Sequence, residues 1–235
     1  MASIVLNAPQ RRNAITIEMA NELVDVCDRI DDDASVGAVV VSGAGGYFCA
    51  GVDRGVLAGI ADEPTTGPAR DRIRSVYRAF VRVGLLRPPT IAAITGGAVG
   101  AGLNLALATD LRLMAADARL DSGFARLGIH PGGGHFALFG RVAGRDAVAA
   151  VSIFGEAING ARAEQIGLAW RALPTEEVQP RAFQLAAQVA SDPALARRAI
   201  ASLRQELGPP PLSSADGLEI ELEAQVWSLA RRSGR

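Results

Sequence analysis

The chain of 235 residues has no lysine: every basic side chain is an arginine, so chemistry that runs through a lysine Schiff base is excluded. Cysteine is almost as scarce. Cys27 and Cys49 are too few for a disulfide framework or a cysteine metal site, and they leave a reducing cytoplasm as the expected compartment. Charge of one sign is also lacking, since 24 basic residues meet 25 acidic ones, and a net charge of −1 gives no electrostatic case for nucleic acid or a membrane surface. The N-terminus shows no charged stretch followed by an apolar one, so no leader is read there.

What the chain has instead is hydrophobic content, 49% of residues, enough for one large core with a helical appendage. Residues 88–109 carry no charge, yet hold Gly96, Gly97, Gly100 and Gly102 at their centre and Asn104 beyond them. The central glycines, the buried-type asparagine and Asp110 immediately after argue against a membrane span and for a buried strand, a glycine turn and a buried helix. Such a helix start leaves backbone N–H groups unpaired and aimed outward, a ready site for an anion or oxyanion. The spacing Gly97-x-x-Gly100-x-Gly102 is not the dinucleotide fingerprint, which makes a nicotinamide oxidoreductase the weakest reading.

Patterning predicts strands at Ile4 to Leu6, Ala38 to Ser42, Leu111 to Ala115 and Ala169 to Ala172. Helices are expected from near Thr16 to a solvated acidic run at Asp31 to Asp33, and from Arg70 to Leu86 with Ile73, Val76, Tyr77, Phe80, Val81 and Leu85 on one face. Further helices are expected at Phe136 to Val142, Arg145 to Phe154, Ala161 to Ile166, Pro180 to Ala190, Pro193 to Glu206 and Ser214 to Arg231. The stretch Asp62 to Pro68 reads as mobile, and Gly208-Pro-Pro-Pro-Leu212 as a linker to a last helical arm.

Four blocks stand in order along the chain: Leu6-Asn7-x-Pro9-x-x-Arg12-Asn13-Ala14; Gly43 through Asp53; Pro89 through Asp110; and Leu127-Gly128-Ile129-His130-Pro131-Gly132-Gly133-Gly134. With Gly155-x-x-Ile158 and Gly167-Leu168-Ala169 behind them, the chain resembles the enoyl-CoA hydratase/isomerase (crotonase) superfamily nearly end to end. The resemblance implies an α/β fold, a crotonase-like spiral of repeated ββα units over residues 1–175, and a C-terminal helical trimerisation region over 176–235. It also implies a homotrimer or homohexamer, for which Leu218, Leu222, Val226 and Leu229 supply an apolar stripe. The start differs: family members usually have a further strand before Ile4, so the beginning reads as truncated or as lacking the first hairpin.

The resemblance implies an acyl-CoA thioester as ligand, CoA entering as part of the substrate with no permanently bound cofactor and no metal. Its enolate would be held by the N–H groups of Val52 and Ala101, while Arg12, Ala14, Ala50, Asp53 and Arg54 would meet the CoA moiety. Preorganised donors of this kind contribute roughly 2.7–4 kcal/mol each to a charged transition state. Hydratases of the family add two glutamates, and at those positions this chain has Asn104 and Phe124. An amide cannot take a proton and a phenyl ring has none to move, so the proton chemistry must be atypical. Replacement candidates are Asp121, His130 and His135; Cys49 is a weaker one, Arg126 is either solvated or paired with a carboxylated substrate, and Asp110 caps or anchors the glycine-led helix. The competing reading is a catalytically silent acyl-CoA-binding protein using the same pocket.

Overall fold

The computed structural model describes residues 1–207 and, beyond them, Leu222, Val226 and Ala230. Five parallel strands make the main sheet in the order β1 (Ala2–Leu6), β2 (Val39–Gly43), β3 (Thr90–Ile94), β5 (Leu111–Ala115) and β8 (Arg171–Leu173). β2 and β3 are buried at every position, as parallel strands covered on both faces must be. A smaller sheet holds β4 (Gly97–Val99), β6 (Arg119–Asp121) and β7 (Ile158–Asn159), with β4 and β6 parallel.

Two repeats of strand, short strand and helix are therefore visible. β3 and β4 lead to α4 (Ala101–Ala108), and β5 and β6 lead to α5 (Phe124–Leu127). A third turn of the same spiral runs from β2 through Cys49, which makes a single parallel bridge to Ala98, to α2 (Arg54–Ala61).

Local chemistry explains most boundaries. Thr16 accepts the Met19 N–H and starts α1 (Ile17–Asp32); Thr66 accepts the Ala69 N–H and starts α3 (Gly67–Gly84). Asp62 to Pro68, expected to be mobile, thus includes a helix cap whose hydroxyl also bonds the Glu63 carbonyl. Asp31 is not part of a solvated run: it is buried, takes the Arg87 N–H at 2.7 Å and pairs with Arg82 at 2.6 Å, a partner 51 residues away that no local pattern reveals. Leu85 follows the last residue of α3 and is 66% exposed, while Val83 and Leu86 occupy the core in its place.

Other expectations shift too. The glycine turn contains β4, too short for any periodicity to betray. The two helices expected across 136–154 form α6 (His135–Val148), kinked at Gly144 with φ of 77°, running into a π-helix at Ala149–Ile153. α7 (Gly160–Gln165) leads to β8, which begins two residues later than expected. α8 (Thr175–Ala190) starts before Pro180, because burying Val178 with Ala182 and Ala186 places an extra turn on the sheet. The expected division after residue 175 falls at the first residue of α8, which packs across β2, β3 and β5.

α9 (Pro193–Leu207) is tied to the sheet through one carboxylate. Asp110 accepts from the Thr90 N–H at 2.7 Å and hydroxyl at 2.8 Å, and from Arg204 Nε and Nη2 at 2.8 and 2.7 Å. It anchors the strand beside α4 rather than capping the helix, whose C-cap is Thr109. The linker after Gly208, the expected helix 214–231, Leu218 and Leu229 lie outside the described residues. Leu222 and Val226, expected in an intersubunit stripe, are buried in this chain's own core, so half of that stripe is already covered.

Arg204→Met is expected to lower unfolding free energy by about 1–3 kcal/mol, since it leaves a half-buried carboxylate short of two charge-assisted bonds. Urea denaturation of the variant against the natural chain checks this; an unchanged midpoint would show that the tie carries no stability.

Candidate functional site

The segment 47–53 runs between two neighbours. On one side Cys49 donates to the Gly97 carbonyl at 3.1 Å and accepts the Val99 N–H at 3.0 Å. On the other, Ala50 donates to the Arg12 carbonyl at 2.9 Å, Ile15 donates to Gly51 at 2.7 Å, and Asp53 donates to Ile15 at 2.9 Å. Gly51, at φ of 98°, is what lets the carbonyl turn toward Ile15. Because the residues either side of Val52 bond Ile15, the Val52 N–H faces away from it, toward the side where β4 gives way to α4.

α4 opens there. Gly100, at φ of 53°, is its N-cap and donates to the Asp121 carbonyl at 3.1 Å, leaving Ala101 as the first helical residue. No acceptor among the described residues takes the N–H of Val52 or of Ala101. The two backbones are nearly touching: a Cβ on Gly51 would lie 2.8 Å from the Val99 carbonyl oxygen and 3.7 Å from the Ala101 nitrogen.

Both residues line a cavity of about 670 Å³, counting its open mouth. Ala50 to Val52, Val99 to Ala101, Ser122 to Phe124, Leu127, Ile129 and Gly132 contribute to its wall. Leu57 and Ile60 of α2, with Ile73, Val76 and Tyr77 of α3, close it with apolar surface. The latter three were readable in the sequence only as a helix face seeking a core, and nothing local shows that this core is partly hollow.

Asn104 and Phe124 are both in the wall. The three proton-transfer candidates are not brought there. Asp121 is buried and accepts from Gly123 N–H at 2.7 Å, Arg119 at 3.0 Å and Arg126 at 2.5 Å. Burial alone would raise its pKa, but the Arg126, Arg119 and Gly123 hydrogen bonds outweigh it and hold the carboxyl below the usual range. Arg126 is therefore paired within the chain. His130 bonds the Pro131 carbonyl through Nδ1 at 2.6 Å and lies edge-on to Phe136. Cys49 is wholly buried, its thiol pushed up to about 12 by desolvation, which removes it as a nucleophile.

His135 lies behind Asn104, fully buried among Phe124, Phe136 and Phe139. Its Nδ1 is 2.7 Å from Asn104 Oδ1 and its Nε2 is 2.9 Å from Ser152 Oγ. Burial lowers its pKa to about 4, so it is neutral through the physiological range.

Of the residues expected at the CoA moiety, Ala50 is in the wall and Arg12, Ala14, Asp53 and Arg54 are not among the residues that line it. Arg12 is exposed with its guanidinium 5.6 Å from the Tyr47 ring centroid; Ala14 is buried; Asp53 caps α2 through the Gly55 N–H at 2.8 Å; and Arg54 is exposed on the first turn. Sequence reasoning passed over Asn13. Fully buried, it accepts the Ala8 N–H at 2.8 Å and donates to the Ala44 and Tyr47 carbonyls at 2.9 and 2.6 Å, joining the first two blocks. Its φ of 57° after Arg12 at 51° is a backbone signature visible only in three dimensions.

A histidine held neutral by burial makes stability depend on pH. With about 4 in the folded chain against 6.5 unfolded, the unfolded chain takes the proton first as pH falls. Stability is then full above about 6.5 and declines by up to roughly 3 kcal/mol toward pH 4. Denaturation midpoints measured across this range should show the decline, and His135→Phe should flatten it; an unchanged slope in the variant would assign the effect elsewhere.

The site's backbone geometry can be set beside known proteins. The sequence matches the family model for enoyl-CoA hydratase/isomerase over residues 1–231. It is 42% identical over 194 residues to a probable enoyl-CoA hydratase of Mycobacterium tuberculosis, covering 82% of this chain and 73% of that one. It is 31% identical over 235 residues to a 1,2-epoxyphenylacetyl-CoA isomerase of Escherichia coli, covering 98% and 87%. Superposed on the crystal structure of an enoyl-CoA hydratase from Bacillus anthracis, it gives a TM-score of 0.82 at 28% identity, over 98% of this chain and 86% of that one. A match that begins at the first strand and runs through every element that builds the cavity leaves one assignment: the chain belongs to the enoyl-CoA hydratase/isomerase family and has the crotonase fold.

Proposed function

We propose that the chain binds an acyl-CoA thioester in this cavity and stabilises its enolate with the N–H groups of Val52 and Ala101. The observation that carries this reading is the pair of untaken N–H groups opening on one cavity beside two backbones in near contact. Both donors come from main chain, so they do not depend on the side chains at positions 104 and 124. The Ala101 N–H lies at the start of a helix buried from Ala101 through Leu107, where its dipole acts in a dry surrounding. The CoA moiety is assigned to the segments that carry Arg12, Ala14, Ala50, Asp53 and Arg54, of which Ala50 reaches the wall. Both named relatives have CoA thioesters in their names, which supports that ligand class.

Proton transfer is the part that departs. Among the described residues, the wall contains no carboxylate and no imidazole, and tyrosine at position 77 is its one ionisable side chain. That composition also favours a second reading, a binding protein without turnover. The two are separated by following exchange of α-protons for deuterium in short, branched and carboxylated acyl-CoA esters. Exchange would show enolate formation, whereas saturable binding without exchange would favour the silent protein. No response of melting temperature to any CoA ester would overturn both.

Hydration of crotonyl-CoA by the natural chain is expected to be very slow or absent. Asn104→Glu combined with Phe124→Glu should raise it by at least about tenfold, since each acid/base group typically contributes 10²–10⁴-fold and the new pair must share a site shaped for phenyl and amide. Efficient hydration by the unaltered chain would show that the proton is handled elsewhere.

Ala101→Pro tests the donor itself. Proline is tolerated at the first helical position but carries no N–H, so the variant should fold and lose about 10²-fold or more in whatever exchange or turnover the natural chain shows. Retained activity would remove Ala101 from the site.

A further inference from the structure

The far end of α4 is built around a buried charge. Arg112, the second residue of β5, is 9% exposed. Its Nη1 donates at 2.6 Å to the carbonyl of Thr109, the C-cap of α4, and its Nε donates at 2.6 Å to the Leu168 carbonyl. No carboxylate among the described residues pairs with it. Asp110, whose charge reaches it, is held by Arg204 Nε and Nη2 at 2.8 and 2.7 Å. These three charges leave one surplus positive charge at the C-terminal end of α4. Burial pushes the guanidinium down to about 10, so it stays protonated at neutral pH.

Hydrogen bonding alone does not call for that charge. The Thr109 hydroxyl already serves the Ala106 carbonyl at 2.8 Å, and a neutral amide could bond the two carbonyls that Arg112 takes. A guanidinium buried without a carboxylate costs more desolvation than such an amide. What it adds is field. α4 is buried from Ala101 through Leu107, and its eight residues span about 12 Å. The helix dipole puts partial negative charge at Thr109 and partial positive charge at Ala101. A cation on the negative end cancels the repulsion that this end exerts on an anion at the other, along a path that water does not screen.

Resting on the thioester reading above, we infer that Arg112 is a positioning residue for the oxyanion site: from the opposite end of α4, its charge favours negative charge on a thioester oxygen at Ala101. It touches no ligand and acts only through the helix. It therefore stabilises the enolate and leaves binding of the neutral ester alone. At about 12 Å and an effective dielectric constant of about 20, one unit charge changes the acid dissociation constant of a bound ester by about tenfold.

Acetoacetyl-CoA is the probe, because its enolate absorbs in the near ultraviolet and forms whether or not the chain turns a substrate over. Titrating that absorbance with pH gives the acid dissociation constant of the bound ester. Arg112→Gln keeps an amide for the carbonyls and removes the charge. It should lower the constant about tenfold and leave the affinity for butyryl-CoA within about twofold. Arg204→Met leaves both bonds of Arg112 in place and unmasks the Asp110 carboxylate at the same helix end, so it should lower the constant by about threefold or more. This second variant decides the matter if Arg112→Gln does not fold. A merely structural role would weaken both esters together in Arg112→Gln and leave the constant unchanged in Arg204→Met, and either result would overturn the inference. Failure of acetoacetyl-CoA and butyryl-CoA to bind the natural chain would instead sink the thioester reading itself.

Discussion

Everything at this site depends on how closely the start of one helix approaches one extended segment. A Cβ on Gly102 would fall 2.2 Å from the Cys49 carbonyl oxygen, and one on Gly51 would fall 2.8 Å from that of Val99, so only glycine permits the contact at either place. The contact brings two main-chain donors to one cavity and lets a helix of small and aliphatic residues be buried all round. Buried donors with no internal acceptor are costly unless something accepts from them. On the proposed reading, that cost is what a ligand oxygen relieves.

The same constraint explains which parts of the structure were legible beforehand. Short-range chemistry wrote itself into the sequence: the Thr16 cap, the uncharged run through α4, the glycine blocks around residues 43–53 and 128–134. The resemblance to a family rested on those blocks and extended to the backbone donors. Strands of two or three residues such as β4, β6 and β7 left no trace, because a period of two needs more length to register. Asp31 read as solvated because its partner, Arg82, lies on another helix. The bond partners of Asn104 are 28 and 31 residues away, and a hollow between α3 and α4 looks in sequence like any other packed face.

The division between main chain and side chain also organises the functional conclusion. Family membership is carried by glycine spacing and apolar pattern, which specify where the backbone goes. On the proposed reading, reaction type is carried by two side chains, at positions 104 and 124, that the backbone merely presents. An asparagine and a phenylalanine fit these positions without disturbing the frame, and His135 is packed against both, 5.2 Å from the Phe124 ring and bonded to the Asn104 amide. The histidine therefore belongs to the altered pair as a supporting group, although its ring faces the interior and not the ligand.

The π-helix sets a different kind of limit. A π-turn accommodates one residue more than an α-turn, and each residue turns an α-helix by about 100°. Losing a single residue between Ala149 and Ile153 would restore ordinary winding and swing Ser152 away from His135, and the Val151 carbonyl away from Ser122, in the same stroke. At this point the molecule is sensitive to chain length more than to residue identity: many substitutions can keep the winding, while one deletion would release both contacts together.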